Sequence, residues 1–76
     1  MNNSRRKQLS DLRIELGDIM STLEDLKEEE QEYMDNMPEN LWNSTRYDVA
    51  EEAVSNMEDA LSSLEDVISS IEEAEA

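Results

Sequence analysis

The chain has 76 residues with 21 acidic and 6 basic side chains, a formal net charge of −15. A chain of this length forms one domain, residues 1–76, with a small core. It has no cysteine and no histidine, so disulfides, thiolate metal sites and the commonest general base are excluded. The acidity argues against direct binding to nucleic acid or an anionic membrane, because phosphate binding requires clustered lysine and arginine.

The first half of the chain has the hydrophobic spacing of a coiled-coil helix. Apolar side chains recur in alternating steps of three and four, at positions 9, 12, 16, 19, 23, 26, 33 and 37, and only Glu30 interrupts them. Gly17 costs about 1 kcal/mol relative to alanine, which a long helix tolerates. The pattern predicts a first helix from about residue 3 to 35, with this apolar line facing a partner helix.

A connection over residues 36–44 follows the first helix. Pro38 disfavours helical conformation at the residue before it, and proline followed by Glu39 is typical of the start of a short helical turn. Ser44 or Thr45 is a suitable N-terminal cap for a second helix.

The only aromatic residues of the chain lie close to this connection; they are Tyr33, Trp42 and Tyr47. One interpretation is an apolar plug that closes the end of the molecule. The other is an exposed anchor for a partner protein, because tryptophan and tyrosine are enriched in binding hot spots. A half-covered Trp42 would satisfy both interpretations.

The second half repeats the heptad pattern at positions 50, 53, 57, 60, 64, 67, 71 and 74 and predicts a helix from about residue 45 to 74. A short connection makes the two helices antiparallel, so the expected fold is an all-α helical hairpin. Opposite charges at the two chain ends agree with this arrangement, because we expect them to be neighbours. They are Arg5, Arg6 and Lys7 at one end and Glu72, Glu73 and Glu75 at the other.

The second helix carries one more apolar line, formed by Val54, Leu61 and Ile68. A two-helix coiled coil needs only two apolar places in seven, so a lone hairpin would leave this line exposed. The pattern therefore predicts self-association through these residues, with two hairpins pairing as a homodimeric four-helix bundle. The alternative is that the line is a docking face for another protein.

A doubled carboxylate recurs in each heptad of the second helix, about every 10.5 Å, and no lysine or arginine follows Arg46. Duplex DNA is also a rod of regularly spaced negative charge. The spacing therefore indicates a surface that binds a basic partner in place of nucleic acid, with Trp42 as a candidate anchor. The alternative is a solvated face that keeps a small bundle soluble. We name as the acidic stripe the residues Glu51, Glu52, Glu58, Asp59, Glu65 and Asp66.

Nothing in the sequence indicates catalysis. No nucleophile is paired with a base, and no glycine-rich phosphate loop is present. The calcium-loop pattern and the Glu-x-x-His motif of di-iron bundles are also absent. We therefore expect neither an enzyme nor a bound metal or cofactor.

The basic RRK near the start, the segment EEEQEYMDNMPENLWNS and the later MEDALSSLED together resemble a family of short acidic proteins from bacteriophages and mobile elements of Gram-positive bacteria. The resemblance covers nearly the whole chain, and DNMPENL is its most particular part. It implies a helical hairpin in the cytoplasm of a bacterial host. It brings no established activity and no functional residues.

Small acidic phage proteins include inhibitors of host nucleic-acid enzymes and defence systems. The sequence analysis thus predicts a protein–protein interaction module, in its sharper form an inhibitor whose acidic stripe occupies a basic groove of a host protein. The alternative is a structural or assembly accessory that acts through bundle formation without mimicry of nucleic acid.

Overall fold

Two long helices joined by a short connection make up the computed structural model, which describes residues 1–76. Helix α1 spans Asn3–Asp35, a 3₁₀ turn spans Glu39–Leu41, and helix α2 spans Thr45–Glu75. The helix bounds and the helical turn after Pro38 confirm the sequence prediction. Neither helix has a segment long and apolar enough to cross a membrane.

Polar side chains cap the N-terminus of each helix. The Asn2 side chain accepts a hydrogen bond from the Arg5 amide at 2.8 Å, and Ser44 Oγ accepts one from the Tyr47 amide at 3.2 Å. Each contact satisfies a backbone N–H that has no partner within the helix. Of the two caps that the sequence allowed, Ser44 and Thr45, the structure uses Ser44.

The helices run antiparallel, as contacts at both ends of the molecule show. Near the connection Met34 packs against Ala50 and Val54, and at the open end Arg13 contacts Glu75. The Cα atoms extend over 59 × 15 × 13 Å, so the hairpin is a thin rod. A rod of two helices has no second layer to enclose its core. Only five residues are buried, and none of them completely: Met34, Met37, Ala50, Val54 and Leu61.

The interface between α1 and α2 uses only one of the two apolar heptad places that were predicted on each helix. The first place of each heptad faces the partner as predicted, at positions 9, 16, 23 and 30 of α1 and 50, 57, 64 and 71 of α2. The second place lies one residue further along than predicted, at positions 13, 20, 27 and 34 of α1 and 54, 61, 68 and 75 of α2.

On α2 this shift brings Val54, Leu61 and Ile68 against α1. The first two are buried and Ile68 is half-buried. The premise that a lone hairpin leaves this line exposed is therefore wrong, and these residues are not a free surface for self-association. The physical reason is size, because burying valine, leucine and isoleucine removes more apolar area from water than burying the neighbouring line, which is mostly alanine.

On α1 the same shift leaves a line of large apolar side chains exposed. Leu12, Ile19, Leu26 and Tyr33 are exposed by 50%, 55%, 50% and 45%. The connection explains the rotation of α1, since Met34 and Met37 pack at that end of the hairpin and Met34 follows Tyr33 directly. Turning Met34 inward turns Tyr33, and the line in register with it, away from the helix interface.

The expected pairing of the charged chain ends is also wrong in its residues. Lys7 contacts Asp11 within α1 at 3.3 Å, while Glu75 contacts Arg13 instead of the basic cluster. With Arg13 level with Glu75, Arg5–Lys7 lie about 9–12 Å beyond that level along α1. The register set by the apolar contacts therefore carries the basic cluster past the end of α2.

Candidate interaction surfaces

The exposed line of α1 shares one side of the hairpin with a line of small residues on α2. Equivalent heptad places of two antiparallel helices lie on the same side of the plane that contains both axes. The predicted second places, now outside the interface, therefore combine into one surface. We call it the apolar face: Leu12, Ile19, Leu26 and Tyr33 from α1, and Ala53, Ala60, Val67 and Ala74 from α2.

Each large residue of the apolar face lies close in height to a smaller one. The contacts Arg13–Glu75 and Met34–Val54 fix the relative height of the helices along the rod. Interpolation between them places each large side chain of α1 beside a smaller one of α2. The nearest pairs, each within two residues or about 3 Å along the rod, are Leu12 with Ala74, Ile19 with Val67, Leu26 with Ala60, and Tyr33 with Ala53.

Shallow grooves open on this same side of the molecule. The most apolar is lined by Ile19, Leu23 and Leu26, with Asp18 and Thr22 at its edge. Two more lie on the same side nearer the two ends of the rod. The residues involved are Glu30, Tyr33, Arg46, Val49 and Ala50 near the connection and Met1, Arg5, Leu9 and Leu12 near the open end.

The acidic stripe lies on the outer flank of α2, and all six of its carboxylate residues are exposed. The two ion pairs of the molecule are Lys7–Asp11 and Arg13–Glu75, so no cation neutralises a residue of the stripe. The stripe and the apolar face occupy different sides of the hairpin, because their heptad places point away from each other. The fold thus separates negative charge from apolar surface.

The ion pair at the open end joins the two helices. Arg13 Nε donates to Glu75 Oε2 at 2.7 Å, and Nη2 donates to Oε1 at 3.4 Å. This two-point contact raises the pKa of Arg13, first through the hydrogen bond and then through the charges of Glu75 and Glu72. The raised pKa means that the Arg13 guanidinium is charged at neutral pH and loses its proton only in strong alkali.

Around the connection, the structure contains both an apolar plug and an exposed aromatic side chain. Met34 and Met37 are buried and Tyr47 packs against the core, as a plug requires. Trp42 is 46% exposed, donates from Nε1 to the Met37 carbonyl at 3.0 Å, and has its ring 6.4 Å from that of Tyr47. Its indole is therefore held in a fixed position with one side open to solvent.

No group of three or more acidic side chains is close enough to hold a metal ion. The residues that sequence reasoning missed are those of the apolar face, which it assigned to the helix interface. The signal was available, because α2 has apolar residues at three places of each heptad and only two can face one partner. Comparison with protein-family models, curated proteins and solved structures finds no match.

Proposed function

We propose that this protein is a protein–protein interaction module whose acidic stripe binds a basic surface of a partner protein. The observation that carries the proposal is that six exposed carboxylate residues follow one flank of α2 and none is neutralised by an ion pair. Soluble helices commonly place lysine or arginine to pair with such acids four residues away. An unneutralised stripe instead retains its charge for a cationic partner.

In its sharper form the partner surface is a nucleic-acid-binding groove of a host enzyme or defence protein. The stripe presents a pair of carboxylates about every 10.5 Å along a rigid rod, about the length of three phosphate steps on one DNA strand. The resemblance to small acidic phage proteins supports the same proposal. Trp42, with one side of its indole open, is the candidate anchor at the connection end of the rod.

The finer architecture belongs to this proposal as well. The module acts as a homodimer in which two hairpins pair as a four-helix bundle. The thin core supports this, since no residue of the single hairpin is fully buried and small domains of this kind commonly gain stability from association.

A second candidate function is that of a structural or assembly accessory, with no mimicry of nucleic acid. The apolar face favours it, because a surface of this kind serves apolar assembly whatever the charge of the opposite flank. The two candidates differ in their response to salt. Binding through the stripe weakens as the Debye length falls to about 8 Å at physiological ionic strength, whereas apolar assembly persists.

The test is capture of partners from bacterial lysate by the tagged protein at low salt, with and without competitor duplex DNA. We expect a nucleic-acid-binding protein that DNA and salt both displace. The decisive variant reverses four stripe residues to lysine: Glu58, Asp59, Glu65 and Asp66. A matched control with the same net charge reverses four exposed acids of α1: Asp25, Glu28, Glu32 and Asp35.

Loss of capture by the stripe variant alone supports the proposal. Equal loss by both variants shows that net charge, and not the stripe, governs binding. Capture that is unchanged by either variant and by DNA contradicts the proposal and favours the assembly function. Circular dichroism of both variants confirms that the helices are retained.

A further inference from the structure

We propose that a second copy of this chain covers the apolar face, and that the two copies are related by a two-fold axis parallel to the helices. This inference rests on the bundle pairing proposed above and adds to it the surface and the symmetry. The apolar face takes the place of Val54, Leu61 and Ile68 as the surface for self-association, because α1 already covers those three residues.

The apolar face has no partner within the chain. Leu12, Ile19 and Leu26 are each at least half exposed, more than most leucines and isoleucines of a folded domain. A contiguous exposed apolar surface of this size marks an interaction site. Three of the four grooves of the molecule open on this side.

The apolar face is complementary in shape to the same face of a second copy. Bulky side chains follow its α1 half and mostly alanines follow its α2 half, at similar heights along the rod. Packing is best where large residues of one surface meet small residues of the other. The surface that fits the bulky line of one copy is therefore the alanine line of another.

The positions of large and small residues favour one of two possible two-fold axes. A two-fold axis parallel to the helices places α1 of one copy over α2 of its partner without any shift along the rod. Each large residue then lies within about 3 Å in height of a smaller residue, such as Leu26 near Ala60 of the partner subunit. An axis perpendicular to the helices would place α1 over α1 and α2 over α2, which crowds bulky residues in one half and leaves a gap in the other.

The charges that border the apolar face favour the same axis. Glu15, Asp18 and Glu29 border the face on α1. Its border on α2 carries no acid: Asn56, Ser63 and Ser70 are neutral, and Arg46 lies near the connection. The parallel axis therefore places glutamates beside neutral residues, while the perpendicular axis would bring glutamates together. Both acidic stripes stay on the outside, which limits repulsion between two strongly negative chains.

The area of the apolar face can be compared with that of known protein interfaces. The face is about 32 Å long from Leu12 to Tyr33 and about 20 Å wide across two helices, which gives about 600 Å² for each copy. A total near 1,200 Å² reaches the lower end of the range for specific protein interfaces. The face is thus large enough for a dimer and needs no further surface.

The first measurement is sedimentation equilibrium over a wide range of protein concentration. We expect a monomer–dimer equilibrium that Leu26→Glu weakens by about 100-fold or more, because the dimer loses two buried leucines. The matched control is Ile14→Glu, an equally exposed apolar residue on the opposite side of α1, which leaves the equilibrium unchanged. A monomeric wild-type protein overturns the proposal, as does a dimer that Ile14→Glu disrupts and Leu26→Glu does not.

The second measurement tests the symmetry and does not depend on a destabilising variant. The chain has no cysteine, so Asn40→Cys in the 3₁₀ turn gives one spin label per copy. The parallel axis puts both connections at one end of the bundle, and we expect a label distance below about 30 Å from the usual spacing of packed helices. A distance above about 45 Å, approaching the 59 Å length of the rod, would overturn the parallel axis.

Binding through the acidic stripe and dimerisation through the apolar face can be disproved independently of each other. A stripe variant that loses its partner but stays dimeric supports both. A Leu26→Glu monomer that still binds a basic partner shows only that dimerisation is not needed for binding. A wild-type monomer that binds the partner through the stripe overturns the inference and the homodimer, and leaves the proposed binding through the stripe intact.

Discussion

The end of the hairpin that carries the connection is packed more closely than the open end. Four of the five buried residues lie near the connection: Met34, Met37, Ala50 and Val54. In the open half the apolar residues of the interface are only half-buried, and the two helices are joined there by Arg13 and Glu75. Contacts between residues close in sequence cost the least loop-closure entropy, so the connection end is the natural anchor of the fold.

The difference shows how a thin hairpin divides its sources of stability. Near the connection, methionines and a capped helix start enclose a small core without help from another chain. At the open end the side chains that would enclose a core point to one side, on the apolar face. The open half therefore gains most from a second layer of helices.

The largest effect is expected from a charge placed in the connection end. Val54→Asp removes a buried valine and buries a carboxylate, for a combined loss of at least about 3 kcal/mol in the free energy of unfolding. Thermal unfolding followed by circular dichroism at fixed protein concentration measures it. Ser62→Asp is the control, because Ser62 is exposed on the outer side of the same helix and should change little. Equal effects of the two variants would contradict the assignment of the core.

Ser44→Ala should weaken the same end by about 1 kcal/mol, because it removes the side-chain acceptor for the Tyr47 amide at the start of α2. Denaturant unfolding is sensitive enough to measure this loss. Ser55→Ala, at an exposed place within α2, should be neutral or slightly stabilising, since alanine is the better helix former. A neutral Ser44→Ala would show that the cap contributes nothing to this helix.

Gly17→Ala should have the opposite sign and strengthen the open half by about 0.5–1 kcal/mol. No residue of the chain has a positive φ, and a Cβ atom added at Gly17 meets no atom within 4 Å. The gain comes from the lower conformational entropy of alanine in the unfolded chain. Denaturant unfolding measures it, and a loss of stability would show that this position is covered by another part of an assembly.

The smallest effect is expected from Glu75→Gln, which breaks the contact with Arg13. Amide hydrogen exchange should become faster in the last turn of α2 and stay unchanged near the connection. Asp11→Asn removes the other ion pair, which lies within α1, and should leave exchange in α2 unaltered. Faster exchange throughout both helices would mean that the open end, and not the connection, anchors the fold.

The sequence was sufficient to predict the helices but not their rotation. Pro38 and Ser44 mark where one helix ends and the next begins, and both signals act over a few residues. Which apolar line faces the partner is a tertiary choice, because α2 offers three lines and the packing of Met34 and Met37 decides between them. The exposure of the acidic stripe could be predicted, since carboxylates avoid burial, whereas the Arg13–Glu75 contact depends on a register that charge alone does not determine.

The projection of α1 past α2 gives the rod an electric asymmetry along its length. Arginine and lysine at positions 5, 6, 7 and 13 gather at the open end, where they roughly balance the acids at 11, 72, 73 and 75. The remaining length carries almost all of the net charge of −15. Such a molecule experiences a torque in the field of a cationic surface and turns its connection end and central length toward it before the two collide. Association with a basic partner should therefore be fast at low ionic strength and oriented from the first encounter.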